Sequence, residues 1–384
     1  MGVDSEEYVI ALLSQLVAID SVNPSLVDGG AGESRIAAFV ASHLEGLGCE
    51  VHVQEAAPGR PNVIGVLDSG APGPSLMFCG HLDTVGVEGM QSPFQPVIRD
   101  GRLYGRGAQD MKGGVAAMID AVRVARQHGF ARGRLIIAAV VDEEYESIGA
   151  DALVTKWRAD AAIVTEPTDL QIGIGHKGFA WFEIETAGRA AHGSRPREGR
   201  DAIFRMGRVL ERLEELDREL QARPPHPIMG TASLHASVIE GGREWSSYPD
   251  RCALRVERRT ISGESAESAG QEIATILDRL VNGDPEFAAT WKAVFARPPY
   301  ETPAGHGIIE SLRICAQKWR IVADPVGMTF WTDAAILGGA GVPSVLFGPG
   351  GAGLHSTEEY VNIADVIACR DVLAQLAINW GSRD

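Results

Sequence analysis

The sequence predicts an α/β fold with a mostly parallel mixed sheet, interrupted by a second, smaller α+β domain. Short apolar runs alternate with helical stretches through the first half of the chain, as they do where crossover helices join parallel strands. Between residues 179 and 292 the pattern changes to strand, helix, strands and helix, and the first pattern resumes near residue 293. We therefore predict one domain from residues 1–178 and 293–384, and an inserted domain from residues 179–292.

Hydrophobic spacing defines the elements of the first domain. Residues 6–18, 34–47 and 112–127 carry apolar side chains at helical intervals, and Gly48 follows the second stretch as a helix C-cap. The strand candidates are short runs rich in apolar and β-branched residues, at positions 63–67, 76–79, 135–141, 161–165 and 344–347.

The inserted domain has a different order of elements. Residues 179–186 alternate like a half-exposed strand, and residues 201–220 form a long, charged amphipathic pattern typical of a helix. Two further strands are predicted at 234–239 and 252–258, followed by a second helix at 271–280. This order predicts an α+β domain.

Composition excludes several classes of partner. The 384 residues include 51 acidic against 35 basic side chains, a formal net charge of −16, which argues against nucleic acid or an anionic membrane as the main partner. The longest apolar stretch, 135–141, is far below the roughly 20 residues of a membrane span. The first eight residues show no secretory signal, and five scattered cysteines without a C-x-x-C pair predict reduced thiols in a cytoplasmic protein.

Polar side chains follow four of the predicted strands. They are His81 with Asp83, the triplet Asp142-Glu143-Glu144, Glu166, and, after a glycine-rich loop, His355. Because ligands of open parallel sheets bind beyond the carboxyl ends of the strands, we expect all four clusters at one edge. Clustered carboxylates repel one another, and a divalent cation removes that repulsion by using them as ligands. Nitrogen and oxygen donors without cysteine suit zinc, and also cobalt or manganese.

Local spacing suggests tasks for single residues. His81 and Asp83 face one side of an extended chain, so Asp83 can accept a hydrogen bond from His81 and fix its tautomer. Asp110 lies in a glycine-rich segment where a helix starts, either as a ligand or as an N-cap. Of the three acids at 142–144, one can bind metal while its neighbour acts as a base; a solvated turn is the alternative.

Other motifs predict nothing further. Two G-x-G-x-x-G segments, at 173–178 and 348–353, do not open a helix in a compact βαβ unit, so dinucleotide binding is not expected. The sequence contains neither H-E-x-x-H nor G-x-S-x-G. Their absence excludes the common zincin and serine-hydrolase signatures, but not hydrolysis.

The motifs taken in order resemble the co-catalytic zinc hydrolases, the family that includes acetylornithine deacetylase, succinyl-diaminopimelate desuccinylase and glutamate carboxypeptidase. The matching segments are His81-Leu-Asp83-Thr-Val, Gly105-Arg-Gly-Ala-Gln-Asp110-Met-Lys-Gly, Asp142-Glu143-Glu144, Thr165-Glu166-Pro167 and His355-Ser-Thr-Glu-Glu359-Tyr-Val. The resemblance implies a zinc-peptidase-like catalytic domain with an inserted, ferredoxin-like domain that mediates dimerisation or acts as a lid. It therefore implies a homodimer.

The resemblance also implies two divalent metal ions per subunit, zinc first, with cobalt or manganese as alternatives. The implied ligands are His81 and Glu166 on one ion, Glu144 and His355 on the other, and Asp110 as the bridge. Glu143 matches the general acid/base, Asp83 the partner of His81, and Glu359 a supporting acid.

Further matches lie in the inserted domain. His192 matches a histidine that reaches the neighbouring subunit's site and stabilises an oxyanion, although by itself it reads as a loop histidine. Arg259 matches an arginine that binds a substrate carboxylate, and Arg297 is a weaker candidate for the same task; a structural ion pair is the alternative for both. Ser246 stands where the family often has asparagine, and one hydroxyl cannot make both amide contacts. We therefore expect a different acyl or amino-acid part in the substrate.

These expectations describe a metal-dependent amide hydrolase. A metal-bridging hydroxide, formed with Glu143 as general base, would attack the amide of an N-acyl amino acid or a similar small carboxylate-bearing amide. A metallo-carboxypeptidase or dipeptidase of the same family is the alternative. A non-catalytic binding protein that keeps the fold is disfavoured, because the set of expected ligands and the base is complete.

Overall fold

The computed structural model of the chain describes residues 3–130 and 132–381, with side chains from residue 6 onward. The chain divides into two compact units. The first comprises Met1–Ile174, Thr302–Val326 and Thr332–Asp384, and the second comprises Gly175–Glu301 and Gly327–Trp331. Of the predicted first domain, residues 1, 2, 131 and 382–384 lie outside the described residues.

The helices, in chain order, are α1 (Val3–Val17), α2 (Ser34–Gly46), α3 (Gly113–His128), α4 (Ile148–Lys156), α5 (Ala202–Ala222), α6 (Ala266–Gly283), α7 (Gly307–Lys318), α8 (Ala334–Gly339) and α9 (Ile363–Asn379). A π-helical turn, Ala108–Lys112, precedes α3. No helix within residues 3–130 and 132–381 combines the length and the apolar character needed to cross a bilayer.

The strands are β1 (Glu50–Ala57), β2 (Arg60–Asp68), β3 (Ser75–His81), β4 (Val97–Arg99), β5 (Arg102–Tyr104), β6 (Arg134–Val140), β7 (Ala161–Val164), β8 (Ile172–His176), β9 (Gly178–Ala187), β10 (Ser233–Gly241), β11 (Arg251–Thr260), β12 (Ala288–Arg297), β13 (Tyr300–Glu301), β14 (Pro325–Met328), β15 (Ser344–Leu346), β16 (Gly351–Ala352) and β17 (Tyr360–Asn362).

A mixed sheet organises the first unit. Its strands run in the order β1-β2-β6-β3-β7-β15-β8. The central strands β6, β3, β7 and β15 pair in parallel, while β1, β2 and β8 pair antiparallel with their neighbours. The sheet confirms the predicted α/β fold class, and its parallel part is the centre.

The central strands are buried along almost their whole length because helices cover the sheet. β3 reads SLMFCGH and every residue is buried, and β6 is buried after its first residue, as expected of parallel strands covered on both faces. α3 contacts α1, α9 and β3, and its first turns are rich in glycine and alanine. Small side chains let this helix approach the strand ends closely.

The predicted helices and strands of the first unit are present in the structure. The three predicted helices coincide with α1, α2 and α3, and Gly48, with a φ of +78°, follows the end of α2. The five predicted strands lie in β2, β3, β6, β7 and β15. Hydrophobic spacing missed β1, since this edge strand (EVHVQEAA) is polar and none of its residues is fully buried.

The second unit has the element order β-α-β-β-α-β. Its sheet runs β10-β11-β9-β12 with antiparallel pairing, and α5 and α6 pack on it around one apolar core. This is the ferredoxin-like order. α5 begins after Asp201, whose side chain accepts the Phe204 N–H, and α6 begins at a capping box on Ser265.

β12 was not expected from the sequence. Most of its residues are exposed, so its apolar pattern is weak, and it is held instead by its pairing with β9. Residue 293, where the sequence pattern placed the return to the first domain, falls inside this strand.

Candidate metal centre

The central parallel strands end side by side, and their carboxyl ends carry the polar side chains. His81 is the last residue of β3, Glu143 and Glu144 follow β6, and Glu166 follows β7, while His355 lies farther along the chain from β15, between β16 and β17. The structure brings His81, Glu144, Glu166 and His355 together with Asp110 in two clusters within the first unit, and Glu143 lies beside the first.

The first cluster consists of His81, Asp110 and Glu166. The ligand atoms of these residues all lie within 4.8 Å of one another. His81 Nε2 is 3.1 Å from Asp110 Oδ1 and 4.0 Å from Glu166 Oε1. Both His81 and Glu166 are buried, so their side chains have little freedom to move.

The second cluster consists of Asp110, Glu144 and His355, again with ligand atoms within 4.8 Å of one another. His355 Nε2 lies 3.3 Å from Asp110 Oδ2 and 3.2 Å from Glu144 Oε2. Asp110 therefore presents one carboxylate oxygen to each histidine. That is the geometry of a bridging ligand.

The buried carboxylates of the two clusters have the properties of metal ligands. Oε1 of Glu144 and Oε1 of Glu166 are buried and have no hydrogen-bond partner within the described part of the chain. Burial raises the pKa of Glu143, Glu144 and Glu166, to about 7 for Glu144, and neighbouring carboxylates add to the effect. Buried carboxylates without partners are costly. Divalent cations would use these lone pairs and offset the charge, so the residues fit two such ions.

Hydrogen bonds within the site shift the pKa values of His355 and Asp110 in opposite directions. Hydrogen bonds to Asp110 and Glu144 raise the pKa of His355 to about 10. Burial alone would raise the pKa of Asp110, but its hydrogen bonds to His355 and His81 lower it below the ordinary range. Metal ligands bind in their deprotonated form, so metal binding here would release any protons that these side chains carry.

Asp83 differs from its expected role. The ring Nδ1 of His81 lies 3.0 Å from the backbone oxygen of Asp83, and the carboxylate is farther away, at 3.6 Å. The carboxylate accepts the backbone N–H groups of Glu143 and Glu144, each at 3.1 Å. β3 ends at His81, so the following residues no longer alternate as in a strand, and Asp83 turns towards the acid triplet.

Asp110 is not the N-cap of α3. It lies in the π-helical turn before that helix, and the Asp110–Met111 peptide is cis. The backbone N–H of Asp110 donates to Oε1 of Glu359 at 3.1 Å, and Glu359 also accepts the N–H groups of Gly107 and Gln109. This buried carboxylate therefore holds the loop that carries the bridging ligand.

Arg106 was missed by sequence reasoning. It is 3% exposed, and its Nη1 donates to Glu359 at 2.6 Å while its Nη2 donates to the backbone oxygen of Ser356 at 2.9 Å. Arg106 thus links the Asp110 loop to the segment directly after His355. A charged residue between two glycines of the motif is the signal that could have indicated it.

His192 and Ser246 lie on paired segments of the second unit. The Gly193 N–H donates to the backbone oxygen of Ser246 at 2.6 Å, and the Tyr248 N–H donates to Ala191. His192 is exposed, and its Nδ1 accepts the backbone N–H of Ser194 at 3.2 Å. A neutral ring in this arrangement carries its hydrogen on Nε2 and can donate it.

The two arginines also have partners inside the second unit. Nε of Arg259 donates to Glu257 at 2.6 Å, and its guanidinium lies 5.5 Å from the ring centre of Phe179. Arg297 lies 5.1 Å from the ring centre of Phe295 and also faces Trp331. The role of His192, Ser246, Arg259 and Arg297 towards a substrate stays a prediction.

The chain is similar to characterised families along most of its length. Residues 77–379 match the sequence model described as Peptidase family M20/M25/M40. Acetylornithine deacetylase of Myxococcus xanthus is 32% identical over 386 residues, covering 96% of this chain and 97% of that protein. N-formyl-4-amino-5-aminomethyl-2-methylpyrimidine deformylase of Bacillus subtilis (strain 168) is 29% identical over 413 residues, covering 99% and 96%.

Solved structures share the fold at lower identity. A tripeptidase from Staphylococcus aureus superposes with a TM-score of 0.83 at 22% identity, covering 98% of this chain and 99% of that one. A dinuclear metal-binding peptidase of the M20 family from Bacillus subtilis gives a TM-score of 0.75 at 15% identity and covers 99% of both chains. The matched segment, the deacetylase relative and the shared fold together confirm the resemblance, and the chain belongs to Peptidase family M20/M25/M40.

Proposed function

We propose that this hydrolase is a deacylase that uses two divalent metal ions to cleave the amide bond of an N-acyl amino acid or a similar small, carboxylate-bearing amide. The observation that carries the proposal is Asp110, whose two oxygens face two histidine-carboxylate clusters. The deacetylase and deformylase relatives support cleavage of an acyl group from nitrogen.

The proposed metal ligands are the residues of the two clusters. His81 and Glu166 would hold one ion, Glu144 and His355 the other, and Asp110 both. Zinc is the first choice, and cobalt and manganese are the alternatives. When bound, such ions lower the pKa of water and polarise a carbonyl group.

Glu143 is the proposed general base. Its Oε2 lies 4.0 Å from His81 Nε2, at the edge of the first cluster, and it belongs to neither ligand set. Burial, together with the charge of Glu166, raises the pKa of Glu143, which makes its carboxylate a better proton acceptor. Glu143 would take a proton from the attacking water and return it to the leaving amine.

The second unit would complete the site. We assign the oxyanion of the tetrahedral intermediate to the Nε2 hydrogen of an exposed His192, supplied by the partner in a homodimer. Arg259 would bind the substrate carboxylate, with Arg297 as a second candidate, and Ser246 would contact the same end of the substrate. The cysteines described here are buried and free, which supports a cytoplasmic location for the enzyme.

A substrate panel tests the proposal. Metal-stripped protein, reloaded in turn with zinc, cobalt and manganese, is assayed on N-acetyl and N-formyl amino acids and on dipeptides. We expect faster turnover of the N-acyl amino acids. Faster turnover of dipeptides would assign the dipeptidase alternative, and no hydrolysis with any metal would contradict the proposal.

A further inference from the structure

A buried polar network lies behind the acid triplet. Its members are Asn23, Glu33, Arg60, Asp83 and Asp142, and the most exposed of them, Arg60, has only 7% of its surface accessible. Three of the five precede residue 77, where the match to the family begins. The network is therefore built largely from a part of the chain that the motifs do not cover.

Asn23 joins two carboxylates that would otherwise repel each other. Its Nδ2 donates to Asp83 at 2.8 Å and to Asp142 at 3.0 Å. Its Oδ1 accepts from Arg60 Nη2 at 3.3 Å and from the Ser25 N–H at 2.9 Å. Every polar atom of this buried amide thus has a partner, so its orientation is determined.

Arg60 supplies the positive charge of the network. Its Nε and Nη2 donate to the two oxygens of Glu33, its Nη2 also donates to Asp142 at 3.0 Å, and its Nη1 donates to the Ser25 hydroxyl. Removing this cation would leave buried carboxylates without compensation.

The two carboxylates held by Asn23 control the backbone of the acid triplet. Asp83 accepts the N–H groups of Glu143 and Glu144. Asp142 has a φ of +69°, in the left-handed region that non-glycine residues rarely adopt. Its carboxylate is fixed by Asn23 and Arg60 on one oxygen and accepts the N–H groups of Glu146 and Ile148 on the other.

We propose that Asn23 and Arg60 are positioning residues of the metal centre. They hold Asp83 and Asp142, and through them the backbone that places Glu143 and Glu144 beside the two histidines. The inference rests on the proposed function only for the roles of these two glutamates. The hydrogen bonds that join Asn23 and Arg60 to the backbone of the acid triplet do not depend on the identity of the substrate.

The test compares Arg60 with a matched buried arginine. Arg60→Met removes the charge and the donors, and Arg60→Lys keeps the charge with a single-point donor. Arg370→Met is the control, because Arg370 is 2% exposed and donates to Asp120 and Asp371, each at 2.6 Å. The measurements are backbone hydrogen exchange across residues 141–148 in metal-free protein, zinc affinity, and kcat and KM.

In Arg60→Met we expect exchange at 141–148 to rise about 10- to 100-fold, because the triplet opens locally. Zinc affinity and kcat should each fall about 10- to 100-fold, as they do when groups that orient metal ligands are lost. KM should stay within about twofold, since no substrate contact is removed. Arg60→Lys should recover part of each loss, and Arg370→Met should leave exchange at 141–148 unchanged.

Equal hydrogen exchange at residues 141–148 in Arg60→Met and Arg370→Met would overturn the inference. If Arg60→Met does not fold, the same measurements are made on Asn23→Ala, which leaves the charge unchanged. Hydrogen exchange at the wild-type rate in Asn23→Ala would also overturn the inference. Exchange and zinc affinity need no substrate. A wild-type enzyme inactive on every amide would therefore remove the proposed function while the positioning test stays decisive.

Discussion

Two adjacent glutamates, for which we propose different tasks, both donate their backbone N–H groups to one carboxylate. Asp83 fixes the peptides of Glu143 and Glu144, and the side chains then diverge. Glu144 reaches His355 at 3.2 Å, whereas Glu143 stays 4.0 Å from His81. This divergence is consistent with the proposed roles of Glu144 as a ligand and Glu143 as a base.

The role of Glu143 is tested by Glu143→Gln. The change keeps the size of the side chain but removes the proton acceptor, so kcat should fall about 10²- to 10⁴-fold. Both metal ions should remain bound in elemental analysis, because Glu143 belongs to neither ligand cluster. Glu146→Gln, in the same loop, is the control and should keep its activity. Wild-type turnover in Glu143→Gln would remove Glu143 from the mechanism.

The proposed bridging role of Asp110 leads to a second prediction for single residues. Glu144→Gln weakens one cluster only, so metal content should fall towards one ion per chain. Asp110→Asn removes charge from both clusters and should lower the affinity of both ions. The measurement is metal content and affinity by titration into stripped protein. Equal losses in the two variants would contradict the bridging role of Asp110.

At the scale of elements, the site depends on how closely α3 approaches the end of β7. Gly114 lies in the first turn of α3, and a Cβ atom there would meet the backbone oxygen of Thr165 at 1.9 Å. Thr165 directly precedes Glu166. The helix start is therefore packed against the backbone of the residue that precedes a proposed metal ligand.

Gly114→Ala should displace α3 from the strand end. We expect a loss of about 1–3 kcal/mol in the free energy of unfolding, as in other overpacked cores, together with weaker metal binding through Glu166. Gly46→Ala is the matched control in the same unit, since nothing lies within 4 Å of its Cβ position at the end of α2. It should be neutral or stabilising by up to about 1 kcal/mol. Denaturant unfolding measures both, and similar values would contradict the close approach.

At the scale of the whole molecule, part of the acid excess lies at the candidate metal centre. Five of the acids behind the net charge of −16 (Asp83, Asp110, Glu143, Glu144 and Glu166) belong to the candidate metal centre or its support. Two bound divalent cations would add four positive charges there. The loaded site would then repel a carboxylate-bearing substrate much less than the same carboxylates would without the ions.

The proposed homodimer makes a prediction for mixed subunits. His192→Ala and Glu143→Gln homodimers should both be impaired. If His192 acts on the partner's site, each mixed dimer contains one complete site out of two. Random pairing of a 1:1 mixture makes about half of the dimers mixed, so refolding should give about a quarter of wild-type activity. If His192 acts within its own chain, no complete site forms and the mixture stays inactive. Activity assays after co-refolding distinguish the two outcomes.

The positions of the main side chains followed from local patterns. His81, Glu143, Glu144, Glu166 and His355 come after apolar runs, and parallel strands end at one edge, so their meeting was predictable without a structure. The α/β class and the inserted α+β unit were predictable for the same reason, because buried strands and amphipathic helices have distinct periods. Exposed edge strands such as β1 and β12 were not, since their apolar pattern is weak.

The sequence by itself therefore determined the fold class, the family and the groups that surround the proposed metals. Only the tertiary structure decided how those groups are held. The carboxylate of Asp83 binds the peptides of the acid triplet, while its backbone oxygen meets the ring of His81, and Arg106 meets Glu359 across 253 residues of sequence. Asn23 and Arg60 reach Asp142 from outside every motif. Such pairings depend on three-dimensional proximity between distant segments, and no local period encodes them.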